Sequence, residues 1–251
     1  PRGGRPVNPA GATLTRTLVD PLLAVVFPSR CPACGSGVAH PSRGPLCESC
    51  WERLPRHGSP RCCCGVPLAP RAPGQCGRCR RGLSPFEAGA SLGPYEGVLR
   101  TLLHELKYHG RRKVAARLAE ALLASPGVAR VVEPGVVLVP VPLHPRRRRE
   151  RGYNQSELLA QELAKRTGLE VAAPALVRRK DTAPQTGLKA ASRRANVAWA
   201  FAVRKRARIV GRTVVLVDDV FTTGATARAC AQALREAGAR SVRLLTAAHV
   251  A

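Results

Sequence analysis

The sequence predicts an α/β fold: a mostly parallel sheet flanked by helices, preceded by a small metal-stapled module. Three observations carry that expectation. Apolar runs of strand length alternate with stripes of helical spacing beyond residue 85. Nine of the ten cysteines crowd into residues 31–79, and six of them form CxxC pairs. The apolar run at residues 214–217 ends in two aspartates and a turn rich in threonine and glycine.

Composition bounds the function classes. The 251 residues allow one large domain or two small ones. With 41 basic and 16 acidic groups the net charge is +25, which makes polyanions the first partners to consider. Residues 1–80 carry 11 basic and 3 acidic groups, and residues 81–251 carry 30 and 13, so the charge is not confined to a tail. Of the 41 basic residues 35 are Arg, with one Ile (Ile209) and no Met. That skew is a coding bias, so arginine number alone is no evidence of chemistry. At 45% apolar the chain can build a core, which excludes wholesale disorder. No apolar run approaches the roughly 20 residues of a membrane helix. Residues 18–27 sit where a secretory leader's apolar stretch would be. Asp20 and Pro21 interrupt it, and no small-residue cleavage site follows. The expectation is a short amphipathic helix over residues 14–26 and a cytoplasmic protein. Residues 1–12 read as a flexible tail, 13–85 as the helix plus the cysteine module, and 86–251 as the α/β domain.

The cysteines come first in order. Cys31 and Cys34, then Cys47 and Cys50, are two CxxC knuckles a dozen residues apart, a spacing that presents four thiolates to one zinc. The alternative, a pair of disulfides, needs an oxidising compartment. A second set pairs Cys76 and Cys79 with an irregular knuckle, Cys62-Cys63-Cys64-Gly65. Cys62 and Cys64 are its expected ligands, with His40 and His57 nearby as substitutes. A module this short needs such staples because it cannot bury enough apolar surface alone.

Past residue 85 the pattern changes. Val98, Leu99, Leu102, Leu103 and Leu106 predict a helix over residues 97–109, and residues 114–124 continue in the same style. The run VVLVPV at residues 136–141 predicts a strand buried on both faces. Asn154 caps a further helix, with Glu157 placed to complete a capping box and Gly168 to stop it. Residues 214–217 form the next strand, 225–237 a helix and 242–247 a last strand. Cys230, inside that helix, reads as a packing residue.

The stretch VVLVDDVFTTGAT at residues 214–226 is the most informative. A buried strand delivers Asp218 and Asp219 to its end. The turn then offers free backbone N–H groups and a positive helix end, a ready phosphate site, with Thr222, Thr223 and Thr226 as further donors. Carboxylates repel phosphate but accept hydrogen bonds from vicinal ribose hydroxyls. The plain alternative is an acidic pair closing an ordinary strand–helix turn.

Residues 214–226 resemble the phosphoribosyl pyrophosphate (PRPP) motif of type I phosphoribosyltransferases. From Leu18 onward the chain resembles the ComF family of competence-associated phosphoribosyltransferase-like proteins. The segments that carry this are FPSRCPACG, LCESCW, CGVPL, CGRC, LLHELKYHGRRKVAARLAE, VPVPLHPRRRRERGYNQSELLAQELA and RRKDTAPQTGLKAASRRANVAWAF. The CysCysCysGly knuckle departs from the family's CxxCG. The resemblance implies a type I phosphoribosyltransferase-like fold in which Asp218 and Asp219 hold the ribose hydroxyls. The loop Thr222, Thr223, Gly224, Ala225 and Thr226 then cradles the 5′-phosphate. It places Lys107, Leu143, His144, Arg146 and Arg151 on the pyrophosphate side. Thr182, Gln185, Thr186, Arg193, Arg194 and Asn196 fall in a mobile loop that closes over PRPP. Tyr153 and His144 read as accessible polar groups on the pyrophosphate-side loop.

The implied cofactors are Zn in the cysteine module and Mg with PRPP. The implied reaction transfers phosphoribosyl to an unnamed acceptor and releases pyrophosphate. The implied partners are PRPP, single-stranded DNA and DNA-uptake proteins, in natural transformation. Two other readings stay open. One is a non-catalytic PRPP- and single-stranded-DNA-binding competence factor. The other is a zinc-ribbon nucleic-acid protein whose α/β half is scaffold. With only two Trp, three Tyr and four Phe, DNA contact would run through phosphate and Arg rather than through base stacking.

Overall fold

The structure, a computed structural model, describes residues 29–56, 61–69, 71–72, 74–179 and 200–250. The expected tail and the expected helix over residues 14–26 lie outside the described residues. No helix among the described residues is long and apolar enough to cross a membrane.

The chain runs through short helices α1 (Glu48–Glu52) and α2 (Gly77–Arg80), strand β1 (Gly89–Pro94), helices α3 (Gly97–Tyr108) and α4 (Val114–Leu123), and strand β2 (Val137–Pro140). Helices α5 (Pro145–Arg151) and α6 (Gln155–Thr167) follow, then strands β3 (Glu170–Val171), β4 (Leu176–Arg178), β5 (Phe201–Val203) and β6 (Thr213–Phe221). Helix α7 (Ala225–Glu236) and strand β7 (Ser241–His249) complete the fold. Five strands form one sheet in the order β1-β7-β6-β2-β3, and every pair in it is parallel. β4 and β5 form a separate antiparallel pair.

Continuous apolar strands follow from a sheet covered on both faces. Along β6, Val215 and Val217 enter the core built with α3, α4 and α6, while Val214 and Leu216 enter the core built with α7. β2 divides likewise, with Leu138 in the first core and Val137 and Val139 in the second. On α3, Leu99, Leu102, Leu103 and Leu106 are buried, which is the face its spacing predicts. Asn154 caps α6 by accepting from the Ser156 N–H at 3.1 Å, and left-handed Gly168 ends that helix. The other half of the expected capping box is used elsewhere: Glu157 Oε2 pairs with Arg148 at 3.1 Å.

The cysteine module lies across the edge strand β1 with one half on each face of the sheet. Cys31, Val38, Leu46, Cys50 and Leu54 join the α3–α4–α6 core, whereas Cys62, Cys64 and Leu68 join the α7 core. The Arg117 guanidinium of α4 sits 4.2 Å over the Trp51 ring and fixes the first half. The Gly89 N–H donates to the Cys63 carbonyl at 2.7 Å and fixes the second. The sequence GASLGP did not read as a strand because its glycines serve this contact. A Cβ at Gly89 would lie 2.2 Å from the Cys64 carbonyl oxygen, and one at Gly93 would lie 1.8 Å from that of Pro55. Covering β1 in this way also removes an open sheet edge.

Gly93→Ala therefore forces backbone to move on both sides of the contact. Its expected cost is about 1–3 kcal/mol, read as a lowered midpoint in denaturant unfolding. An unchanged midpoint would show that the module does not rest on β1.

Candidate functional site

After β2 the chain continues to β3 at one edge, and after β6 it continues to β7 on the other side. The strand order thus reverses between β2 and β6, and a crevice opens outside their carboxyl ends. A cleft of about 200 Å³ lies there, walled by Lys107, Leu143, Arg147, Arg151, Ser156, Asp218, Asp219 and Thr226.

Asp218 and Asp219 end the continuously buried run of β6 and are 9% and 5% exposed. Asp218 Oδ1 accepts from Ser156 Oγ at 3.0 Å and from the Asp219 N–H at 2.9 Å. Asp219 Oδ1 accepts from the Val220 N–H at 2.8 Å, and Lys107 Nζ lies 2.7 Å from Asp219 Oδ2. Lys107 is therefore no surface lysine: it is the counter-ion of the acidic pair. Burial pushes Asp218 up to about 8, and the charge of Asp219 adds to the effect. Burial acts on Asp219 in the same direction, but the Lys107 ammonium outweighs it and holds this carboxyl below its ordinary value.

The segment from β2 to α6 forms the opposite wall. Its arginines lie on a helix, α5, which the sequence reading took for a loop. His144 caps that helix, accepting from the Arg146 N–H at 3.3 Å. Arg146 pairs with Glu150 at 3.0 Å with its side chain 70% exposed, outside the cleft wall. Arg147 and Arg151 face the cleft, and Leu143 lines it. Arg151 donates to Gln155 Oε1 at 2.6 Å and sits 5.2 Å over the Tyr108 ring. Tyr153 departs from the expected accessible group. It is 8% exposed and its hydroxyl donates to the Leu106 carbonyl, one residue before Lys107. Asn154 Nδ2 donates to the Val141 carbonyl at 2.9 Å. These two bonds fix the α6 N-terminus against both α3 and β2.

Among the cleft residues, sequence reasoning missed Gln155 and Ser156, while Arg147 and Arg178 lay within the basic stretches at residues 146–151 and 178–194 that it set beside a pyrophosphate-bearing ligand. The predicted Asn154 cap held a signal for the missed pair, since residues 155 and 156 must then lie in the first turn of α6. The candidate loop residues Thr182, Gln185, Thr186, Arg193, Arg194 and Asn196 lie outside the described residues. Their segment joins β4 to β5, and Arg178 at the end of β4 lines the cleft.

The turn into α7 depends on Gly224, which is left-handed at φ +72; a Cβ there would lie 2.3 Å from Phe221 Cζ. The Ala225 N–H reaches Thr223 Oγ1 at 3.5 Å; Thr222 and Thr223 are exposed, and Thr226 lines the cleft. Behind the turn, Phe221 stacks on His249 with ring centroids 5.0 Å apart. Cys64, Gly65 and Val66 of the cysteine module line the small cavity beside those two rings. Burial, with Arg61 facing it, lowers His249 to about 4, so the imidazole is neutral.

The cysteines form two sets, Cys31, Cys34, Cys47, Cys50 and Cys62, Cys64, Cys76, Cys79, whose sulfurs lie within 4.8 Å of one another in each set. All ten cysteines are free thiols, against the disulfide alternative. Four thiolates around one zinc lie about 3.8 Å apart, given Zn–S near 2.3 Å. The Cys34–Cys47 and Cys64–Cys76 separations of 3.5 and 3.8 Å fit that geometry. Left-handed Gly35 and Gly65 close the two knuckle turns. Cys47 and Cys76 each cap the short helix that carries the fourth sulfur. Neither set includes His40, and His57 lies outside the described residues. Cys230 is fully buried in α7 as a packing residue.

Asp218 gives the unliganded protein a pH signature. Its folded value of about 8 lies above its ordinary value, so the folded state holds a proton that the unfolded chain gives up near pH 4. This contribution is fully present below about pH 4 and is lost as pH rises towards about 8. Asp219 has the opposite sign and stabilises above its ordinary value. Asp218→Asn is expected to flatten the fall in unfolding free energy between pH 5 and pH 8, measured by denaturant titration. An unchanged slope would place the titrating group elsewhere.

Comparison with known proteins agrees with this division. Residues 22–85 match the double zinc ribbon domain, and residues 154–250 match the phosphoribosyl transferase domain. The zinc ribbon match and the two sulfur sets support zinc as the metal. The DNA utilization protein YhgH of Salmonella typhimurium is 37% identical over 204 residues, covering 79% of this chain and 88% of that protein. Competence protein F of Haemophilus influenzae is 32% identical over 224 residues, covering 87% and 96%. A solved structure of glutamine PRPP amidotransferase from B. subtilis overlaps 57% of this chain and 30% of its own, at 24% identity and a TM-score of 0.38. On the extent and identity of the two relatives, the chain belongs to the family of DNA utilization protein YhgH and competence protein F, the ComF family, with a double zinc ribbon joined to a phosphoribosyltransferase domain.

Proposed function

We propose that the chain binds PRPP with Mg²⁺ in the cleft at the ends of β2 and β6 and transfers its phosphoribosyl group to an acceptor, releasing pyrophosphate. One observation carries this reading. The buried Asp218–Asp219 pair is followed directly by the Thr222–Thr226 turn and the α7 N-terminus, and faces the cationic wall of Lys107, Arg147 and Arg151. On this reading Asp218 and Asp219 take the ribose hydroxyls. The turn takes the 5′-phosphate through backbone N–H groups and threonine hydroxyls. Leu143, Arg147 and Arg151 flank the pyrophosphate, with His144 and Arg146 shaping that wall from behind. Thr182, Gln185, Thr186, Arg193, Arg194 and Asn196 close over the ligand.

In the transfer, the bond from the anomeric carbon to the pyrophosphate oxygen breaks and its electron pair leaves with pyrophosphate. The acceptor's lone pair forms the new bond, and the acceptor's proton passes to solvent. When bound with PRPP, Mg²⁺ would supply charge neutralisation at the leaving group. The cleft arginines add fixed positive charge where negative charge develops. The zinc module, residues 13–85, acts as the support for the transferase domain, residues 86–251.

A second reading is a PRPP- and single-stranded-DNA-binding competence factor without catalysis. The exposed Arg146, Arg148 and Arg149 on α5 favour it, as do the +25 charge and the names of the relatives. On both readings the protein works in the cytoplasm beside DNA-uptake proteins.

PRPP with Mg²⁺ is expected to raise the thermal unfolding midpoint. Ligand at 100 times its Kd stabilises by about 2.7 kcal/mol, and Asp218→Ala with Asp219→Ala removes the effect. No shift at millimolar PRPP would contradict both readings. Pyrophosphate release during incubation with candidate acceptors supports transfer, and binding without release supports the second reading. For DNA, affinity is expected to fall steeply between low and physiological salt. Affinity that holds as salt rises would contradict a phosphate-directed contact.

A further inference from the structure

The two halves of the zinc module repeat one design with a single difference. In the first, the Cys31 N–H donates to the Ser36 carbonyl and the Gly35 N–H to the Cys31 carbonyl. In the second, the Cys62 N–H donates to the Val66 carbonyl and the Gly65 N–H to the Cys62 carbonyl. The second turn is thus one residue shorter between the same bonds, and the residue inside it is a fifth cysteine, Cys63. This thiol does not point away from its neighbours. Its sulfur lies 3.8 Å from Cys62 Sγ and 3.8 Å from Cys79 Sγ. Each distance equals the edge of a zinc–thiolate tetrahedron, about 3.8 Å. The Cys63 carbonyl is held by the Gly89 N–H of β1 at 2.7 Å, so the docked sheet edge fixes the residue.

We propose that Cys63 is a reserve ligand of the second zinc site, exchanging with Cys64. Zinc takes four thiolates in a closed structural site, so five sulfurs compete for four positions. Cys63 already lies at edge distance from Cys62 and Cys79, so the ligand it replaces is one of the other two. The Cys76 backbone is held where it caps α2, since its N–H donates to Cys62 Sγ at 3.2 Å. Cys64 shares the short knuckle with Cys63, which makes it the ligand that Cys63 would exchange with. In the exchange the Cys63 thiol gives up its proton and bonds zinc as thiolate. The zinc–sulfur bond of Cys64 breaks, and its thiolate takes up a proton. The metal keeps four sulfurs and its charge, and no electrons are transferred. The first set has no fifth thiol and lacks this freedom.

The test uses the full zinc-loaded chain and thiol alkylation mapped by mass spectrometry. Cys230 is 0% exposed, which leaves the second cluster as the source of an alkylatable thiol. Exchange predicts one label per chain, divided between Cys63 and Cys64, with both metals retained. Label confined to Cys63, or no label, would overturn the proposal, since either makes Cys63 a bystander. A variant series tests it independently through metal content. Cys64→Ser is expected to keep about two zinc ions per chain, as is Cys63→Ser, while the double variant and the reference Cys34→Ser fall to about one. Loss of a zinc ion from Cys64→Ser alone would also overturn it. Cobalt-substituted protein gives a second readout: the thiolate-to-metal absorption of Cys64→Ser is expected to stay at four sulfurs per site and to drop in the double variant.

Discussion

The central constraint is the burial of two adjacent carboxylates at the end of β6. Charge removed from water is costly unless it is paired and hydrogen-bonded. Lys107 supplies the pair, and Ser156 Oγ with the amides of Asp219 and Val220 supplies the hydrogen bonds. Lys107 comes from α3 and Ser156 from α6, so meeting this one demand fixes the C-terminus of α3 and the N-terminus of α6 against β6. The Tyr153 and Asn154 bonds to Leu106 and Val141 secure the same junction from behind. A desolvated, pre-oriented acidic pair is suited to a neutral polyol such as ribose. Under the proposed function, it would keep phosphate away from that position and leave it to the two flanking cationic or amide-rich walls.

The zinc module answers a second constraint. It is too small to be stable without staples, and its sulfur sets sit at the margins of the two sheet cores rather than in a core of their own. Metal binding and sheet packing therefore support each other. The contact reaches the Thr222–Thr226 turn in few steps: Cys64, Gly65 and Val66 line the cavity beside His249, His249 stacks on Phe221, and Phe221 lies against Gly224. The neutral imidazole, held at about 4 by burial beside Arg61, keeps that stack free of added charge near neutral pH.

Elements buried on two faces or one stripe were legible in the sequence. β2, β6, α3, α4 and α7 appear where apolar period placed them, because period reports which face is covered. The two cysteine sets and the strand–turn–helix at residues 214–226 were equally legible, since each is local in sequence. β1 was not, because Gly89 and Gly93 answer to carbonyls of a distant segment that no local pattern reports. The same limit applies to side-chain partners. Lys107 reads as a cation on the pyrophosphate side, and its pairing with Asp219 appears only in the fold. Tyr153 reads as exposed until its hydroxyl finds Leu106. Of the arginine run, helical phase turns Arg147 and Arg151 inward and Arg146 out, and that phase was hidden while the run was taken for a loop.

The central claim is that the Asp218–Asp219 pair and the turn behind it form one ligand site for a phosphorylated ribose. A crystal structure of the chain with PRPP and Mg²⁺ tests it most directly. The account predicts ribose hydroxyls within hydrogen-bond distance of Asp218 and Asp219, with the 5′-phosphate on the amides and hydroxyls of Thr222–Thr226. PRPP lodged on the outer arginines of α5, with the acidic pair still closed on Lys107, would contradict it.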